Sequence, residues 1–216
     1  MKSLKILLLT VLSFSFIQTQ AQIRIGLKGG VTRAWQDYGP VALPDNAETH
    51  VMGMNVTATA YYSLGKHISI GIEPGFAERG AACIPGFIIF EGDTKFFLDY
   101  VQAPVMAMGR LSLLNERIEV FGKLGYGASF LVGGQREDTP NNDEPIIRNK
   151  IELRENSILN RWDHGAYGGL GVGLNLGKTQ IFVEGDVYAG FRDAERANFS
   201  QNRSISVNFG VSRELF

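Results

Sequence analysis

Beyond Gln22 the chain alternates. Through eight segments, near 23–35, 51–63, 67–79, 96–110, 117–132, 164–176, 179–191 and 203–215, apolar residues take every second position and polar, charged or glycine residues fill the gaps. A period of two, enriched in aromatic and β-branched residues and flanked by turn residues, predicts β-strands. A helical period is nowhere sustained.

The two faces differ in kind. Near 179–191, Ile181, Val183, Val187, Ala189 and Phe191 share one face, while Gln180, Glu184 and Asp186 share the other. Near 117–132, Ile118, Val120, Leu124, Tyr126 and Phe130 oppose Glu119, Lys123, Gly125, Gly127 and Ser129. Near 23–35, Ile23, Ile25, Leu27 and Val31 oppose Arg24, Gly26, Lys28 and Thr32. Segment 96–110 departs from this: it is apolar on both faces, and Pro104 lacks a ladder donor. A one-residue shift or a bulge there exchanges its faces.

The connections sort by length. Leu64 to Lys66, Leu111 to Glu116 and Gly177 to Lys178 are short, and 36–50, 80–95, 133–163 and 192–202 are long, in strict alternation. The pattern predicts an all-β fold, an eight-stranded antiparallel up-and-down transmembrane β-barrel with short periplasmic turns and longer extracellular loops. Both termini then lie on the periplasmic side. A barrel of this size has an interior just wide enough for side chains to fill it. Charges of both signs inside must pair, because an unpaired buried charge costs several kcal/mol. Arg24, Lys28, Glu73, Glu119, Lys123, Glu184 and Asp186 are therefore read as a polar network in the lumen, with interior glycines such as Gly125 and Gly171 relieving crowding.

The first residues add an address. Lys2 and Lys5 precede an apolar run from Ile6 to Ile17 and a small residue at Ala21. This reads as a signal peptide over 1–21, removed to leave a barrel domain over 22–216. The run is shorter than the roughly 20 residues of a membrane-spanning helix. The mature chain is thus expected in the outer membrane.

Composition narrows the chemistry. The chain of 216 residues carries 21 basic and 22 acidic side chains, so no strong field invites nucleic acid. A lone cysteine, Cys83, excludes an internal disulfide and any multi-thiolate metal centre. Ser157, Asp163 and His164 supply the residue types of a hydrolytic triad, but nothing in their spacing enforces contact. Asp138, Asp143 and Glu144 are the metal-ligand types in the longest loop and read more simply as a solvated charged segment. His50 and His67 read as surface residues. No catalytic residue, cofactor or metal is expected.

Several stretches resemble a known family. Ala21-Gln22 before Ile25-Gly26-Leu27-Lys28-Gly29-Gly30, then Ile70-Gly71-Ile72-Glu73-Pro74-Gly75-Phe76, Leu98-Asp99-Tyr100-Val101-Gln102-Ala103-Pro104, Gly168 to Gly173 and Phe182-Val183-Glu184 resemble the PorT-like outer-membrane β-barrel proteins of Bacteroidetes. The resemblance implies an eight-stranded barrel in the outer membrane and little about activity. Some members take part in protein export.

The reading is a small outer-membrane barrel with a filled lumen, no open pore, and a structural or interaction role. Expected partners are outer-membrane lipid, the barrel-assembly machinery acting on the terminal Phe216, and a protein partner at loops 80–95 and 133–163. The alternatives are an accessory of a secretion machine, a lipid-modifying enzyme, and a soluble lipocalin-like binder.

Overall fold

A computed structural model describes residues 22–37, 50–82, 92–140, 145–153, 159–194 and 200–215. The expected signal peptide over 1–21, Cys83, Asp143, Glu144, Ser157 and Phe216 lie outside the described residues.

The strands are β1 (Ile23–Asp37), β2 (His50–Ser63), β3 (Ile68–Ile72), β4 (Gly75–Ala82), β5 (Gly92–Leu113), β6 (Ile118–Pro140), β7 (Ile147–Lys150), β8 (Trp162–Leu176), β9 (Thr179–Asp193) and β10 (Gln201–Glu214). The expectation of an eight-stranded up-and-down barrel is corrected: the described residues form ten strands in one sheet. Eight of them, β1, β2, β4, β5, β6, β8, β9 and β10, follow one another in a ring of antiparallel pairings. The other two strands have separate causes.

The first is a break. The single strand expected over 67–79 splits at Glu73 and Pro74 into β3 and β4, both lying between β2 and β5. Ile72 pairs with Val105 and Gly75 with Gln102, so Glu73 and Pro74 face Ala103 and Pro104. Neither proline can donate to a ladder. Their carbonyls still accept, from Ala58 N at 2.9 Å to Pro74 O and from Glu73 N at 3.0 Å to Pro104 O.

The second is an addition. Strands β5 and β6 run well past the ring, and β7 pairs along the outer part of β6 from Gln135↔Lys150 to Asp138↔Ile147. Under this extension Leu98, Tyr100, Leu131 and Leu159 form a small apolar core, flanked by Ile151 and Leu153. The sequence placed a possible bulge in the 96–110 segment. The register shift lies instead on its partner: Asp99 pairs with Gly133 and Tyr100 with Leu131, leaving Val132 without an opposite residue. Below the bulge the odd residues of β6 are inside, and above it Asp138 is buried.

Strand β4 also leaves β2. The two pair only from Asn55↔Ala77 to Thr57↔Gly75, after which β4 turns inward with Arg79, Ala81 and Ala82 buried. Met54 N then donates to the Glu78 side chain at 2.9 Å.

The apolar face points outward. Leu124 is 73% exposed and Leu170 75%, and Val105, Val187, Phe209 and Leu174 are also open. Outward apolar residues on β2 run from Met52 to Tyr62, a stretch that at the usual strand rise and tilt makes a belt about 25 Å tall. An aromatic group including Tyr126, His164, Phe191, Phe130 and Trp162 lies at its outer edge. The interior is polar and packed.

Candidate functional site in the charged interior

Period-two alternation delivers a charged residue from several strands to one level of the interior. Lys28 comes from β1, Lys123 from β6, Glu184 and Asp186 from β9, and Glu73 from the break between β3 and β4. The break matters because it carries Glu73 inward beside a ladder already missing its proline donors.

These five side chains form one cluster. Lys28 Nζ donates to Glu73 at 2.7 Å, to Asp186 at 2.8 Å, and to Glu184. Lys123 Nζ lies 3.0 Å from Glu73, 2.9 Å from Glu184 and 3.0 Å from Asp186. Tyr61 OH donates to Glu73 at 2.5 Å, and Asn208 Nδ2 donates to Asp186 at 2.9 Å. Each carboxylate meets both ammonium groups. A buried ion pair needs this many partners to offset its desolvation.

A second charged layer lies toward the end that carries the termini and short turns. Arg24 donates to Glu119 at 2.7 Å and to Glu214 at 2.6 Å. Gln180 Nε2 donates to Glu119 at 3.0 Å. Phe121 and Phe182, edge to face at 5.9 Å, are buried nearby.

The third layer lies toward the outer end. Arg79 is 2% exposed, and its guanidinium stacks 3.6 Å from the Tyr188 ring centre. It donates to Ser129 at 3.1 Å and to Gln102. Tyr188 OH and Asn202 Nδ2 donate to Asp163 at 2.8 and 2.9 Å.

Of the residues the sequence assigned to the interior, the structure gathers Lys28, Glu73, Lys123, Glu184 and Asp186 together, and sets Arg24 with Glu119 in the separate layer. Glu73, Glu184 and Asp186 are close enough to hold a metal ion, but the two ammonium groups already fill that role. Asp163 and His164 project to opposite faces: Asp163 is buried inside, and His164 is outside, 2.8 Å from Tyr126 OH. Asp138 accepts from Thr94 and Arg136 at 2.8 Å each. His67 is exposed and His50 half-buried.

The model of the outer membrane protein beta-barrel domain matches residues 16–196. The chain belongs to the outer membrane protein beta-barrel domain family. It is a small β-structured protein of the outer membrane, and the outward apolar face is the surface such a location requires. Among solved structures, a major outer membrane protein from Thermus thermophilus is similar at 12% identity, covering 91% of this chain and 100% of that one, with a TM-score of 0.51. Neisserial surface protein A is similar at 11% identity, with 88% and 97% covered and a TM-score of 0.47. Ail of Yersinia pestis is 12% identical, with 90% and 99% covered and a TM-score of 0.40. No curated protein matches the sequence.

Sequence reasoning placed Gln180 on the inward face but missed other members of this interior: Tyr61, Arg79, Asn202 and Glu214 also take part in the hydrogen-bonded layers. The parity of each strand carries the signal for Tyr61 and Gln180. Arg79 needed the inward turn of β4, which has no local signature.

Proposed function

We propose that this protein is a plugged outer-membrane barrel-family member with a structural or interaction role, carried by its outer extension, and neither a diffusion pore nor an enzyme. The observation that carries the reading is the double-lysine, triple-carboxylate cluster, whose Lys28 is 3% exposed. The voids beside it are about 40 and 20 Å³, room for isolated water and not for a solute. Planar-bilayer recording tests it: the wild-type protein gives no conductance steps, and steps of reproducible size overturn the reading.

The interaction part rests on the β5–β6–β7 extension, which has its own apolar core and so presents a stiff surface outside the belt. Segments 80–95 and 133–163, whose described residues include the outer parts of β5 and β6 and all of β7, are the proposed contact region for a protein partner. Lipid covers the belt, and the assembly machinery engages the C-terminal end at Phe216. The leader over 1–21 and the placement of the short turns in the periplasm belong to the same reading. An accessory role in export, known for some PorT-like proteins, is the alternative reading. Cross-linking from a photoreactive residue placed at Arg148, which is exposed on β7, tests that role: a discrete protein adduct supports it, and adducts to lipid alone exclude it.

A further inference from the structure

The end that carries the termini and short turns opens into a polar recess of about 770 Å³. Its lining includes Arg24, Lys66, Arg110, Arg117 and Lys178. The acids there are already engaged. Glu119 and Glu214 hold Arg24, and Glu116 lies 3.8 Å from Lys66. Among the described residues, Arg110, Arg117 and Lys178 form no ion pair.

Arg110 is the telling member. It is 8% exposed, donates through Nη2 only to the neutral Ser63 hydroxyl, and leaves its buried Nε without a hydrogen-bond partner. Its backbone is fixed by pairing with His67, Arg110 N donating to His67 O at 2.9 Å. Its nearest acids, Glu119 and Glu214, are paired to Arg24, so this buried guanidinium has no ion pair of its own, which is costly, and its planar fork suits a tetrahedral oxyanion. Five cations, Arg24, Lys66, Arg110, Arg117 and Lys178, line the recess against three carboxylates, Glu116, Glu119 and Glu214, and this excess favours an anion of more than one charge over a single carboxylate.

We propose that this recess binds a phosphate-bearing anion, with Arg110 as its anchor and Arg117 and Lys178 supplying field at the rim. The phosphate belongs either to a small soluble molecule entering from the aqueous side or to a lipid headgroup reaching the mouth. Both present the same oxyanion chemistry.

The test uses the full-length mature protein and inorganic pyrophosphate as probe. In octyl glucoside micelles, which carry no phosphate, isothermal titration is expected to give saturable binding that weakens as salt rises. Arg110→Gln is expected to weaken it on the order of tenfold, while Arg161→Gln at the outer end leaves it unchanged. Should Arg110→Gln fail to fold, the rim pair Arg117→Gln with Lys178→Gln substitutes, with an expected loss of roughly threefold to tenfold. Repeating the titration in nanodiscs containing phosphatidylglycerol separates the sources: unchanged affinity identifies a soluble anion, and competition identifies the headgroup. Absence of pyrophosphate binding in the phosphate-free micelles, or equal binding by wild type and the folded variants, overturns the proposal.

Discussion

Glu78 and Asp99 stand directly opposite each other across β4 and β5, two carboxylates on the outward face. Asp99 lies two residues beyond Val101, past the aromatic edge that Phe130 marks opposite Val101, and Glu78 lies beside Gly53 at the outer end of the belt on β2. Glu78 accepts a hydrogen bond from Met54 N at 2.9 Å. Partial burial first, and the Glu78 charge second, raise the Asp99 carboxyl above its ordinary 3.8. The folded chain therefore binds this proton more tightly than the unfolded one. The stabilisation is complete in acid below 3.8 and is lost as pH rises through the raised value. Asp99→Asn removes the conflict. Its heat-modifiable transition on gels should lie above wild type at neutral pH, and the gap should close below 3.8. A constant gap at all pH values would rule this account out.

The interior cluster predicts a non-additive pair. Removing Lys28 leaves Glu73, Glu184 and Asp186 facing Lys123 alone. Lys28→Met should cost about 3–5 kcal/mol, because a carboxylate is left buried without its cation. Adding Glu184→Gln removes one of those carboxylates and should recover a substantial part of the loss. Urea unfolding in lipid, read by tryptophan fluorescence, reports both. If the double variant is as unstable as the sum of the two singles, the residues are not coupled and the cluster is not the unit described.

Much of this was legible in the chain. Alternation alone gave the outward set, because a strand has only two faces and Leu124, Leu170 and Val187 have nowhere else to go. It also gave the inward parity of Lys28, Lys123, Glu184 and Asp186. The pairings were not legible, since they depend on stagger between strands far apart in sequence: Lys28 and Glu184 are separated by 156 positions. Nor was the strand count. Pro74 and Pro104 are each visible in the sequence, but only the register sets Glu73-Pro74 opposite Ala103-Pro104 and turns one strand into two. The β7 addition was not legible either, and the bulge below it falls at Val132, an apolar residue in an apolar run with no local mark. Arg79 stayed hidden because the inward turn of β4 is a tertiary event.

The turn between β5 and β6 holds strain that can be removed. Leu114, Asn115 and Glu116 have φ of 50, 55 and 67 degrees, three consecutive non-glycine residues in the left-handed region. Each such residue costs on the order of 1 kcal/mol relative to glycine. Leu114 is also 70% exposed, so its side chain contributes little packing. Leu114→Gly should therefore stabilise the protein by up to about 1 kcal/mol, less the added chain entropy of the unfolded state. The readout is the urea midpoint. A destabilised variant would mean that the Leu114 side chain is held by lipid or by the mouth.

Two glycines of opposite setting test how tightly the interior is filled. At Gly171, on β8, an added Cβ would sit 2.3 Å from the tip of the Phe121 ring and 2.9 Å from the Glu184 Cβ. Neither can retreat: Phe121 is packed edge-on against Phe182, and Glu184 is pinned by Lys28 and Lys123. Gly171→Ala should cost about 1–3 kcal/mol as overpacking, and the disturbance should pass directly to the charged cluster. At Gly109, on β5, a Cβ meets nothing within 4 Å, because this face points outward. Gly109→Ala should be neutral or slightly stabilising through reduced freedom of the unfolded chain. The comparison is made on paired urea midpoints in the same lipid. Equal effects would mean that the interior yields as easily as the lipid-facing surface. The filled interior on which the proposal of a plugged barrel rests would then be lost with it.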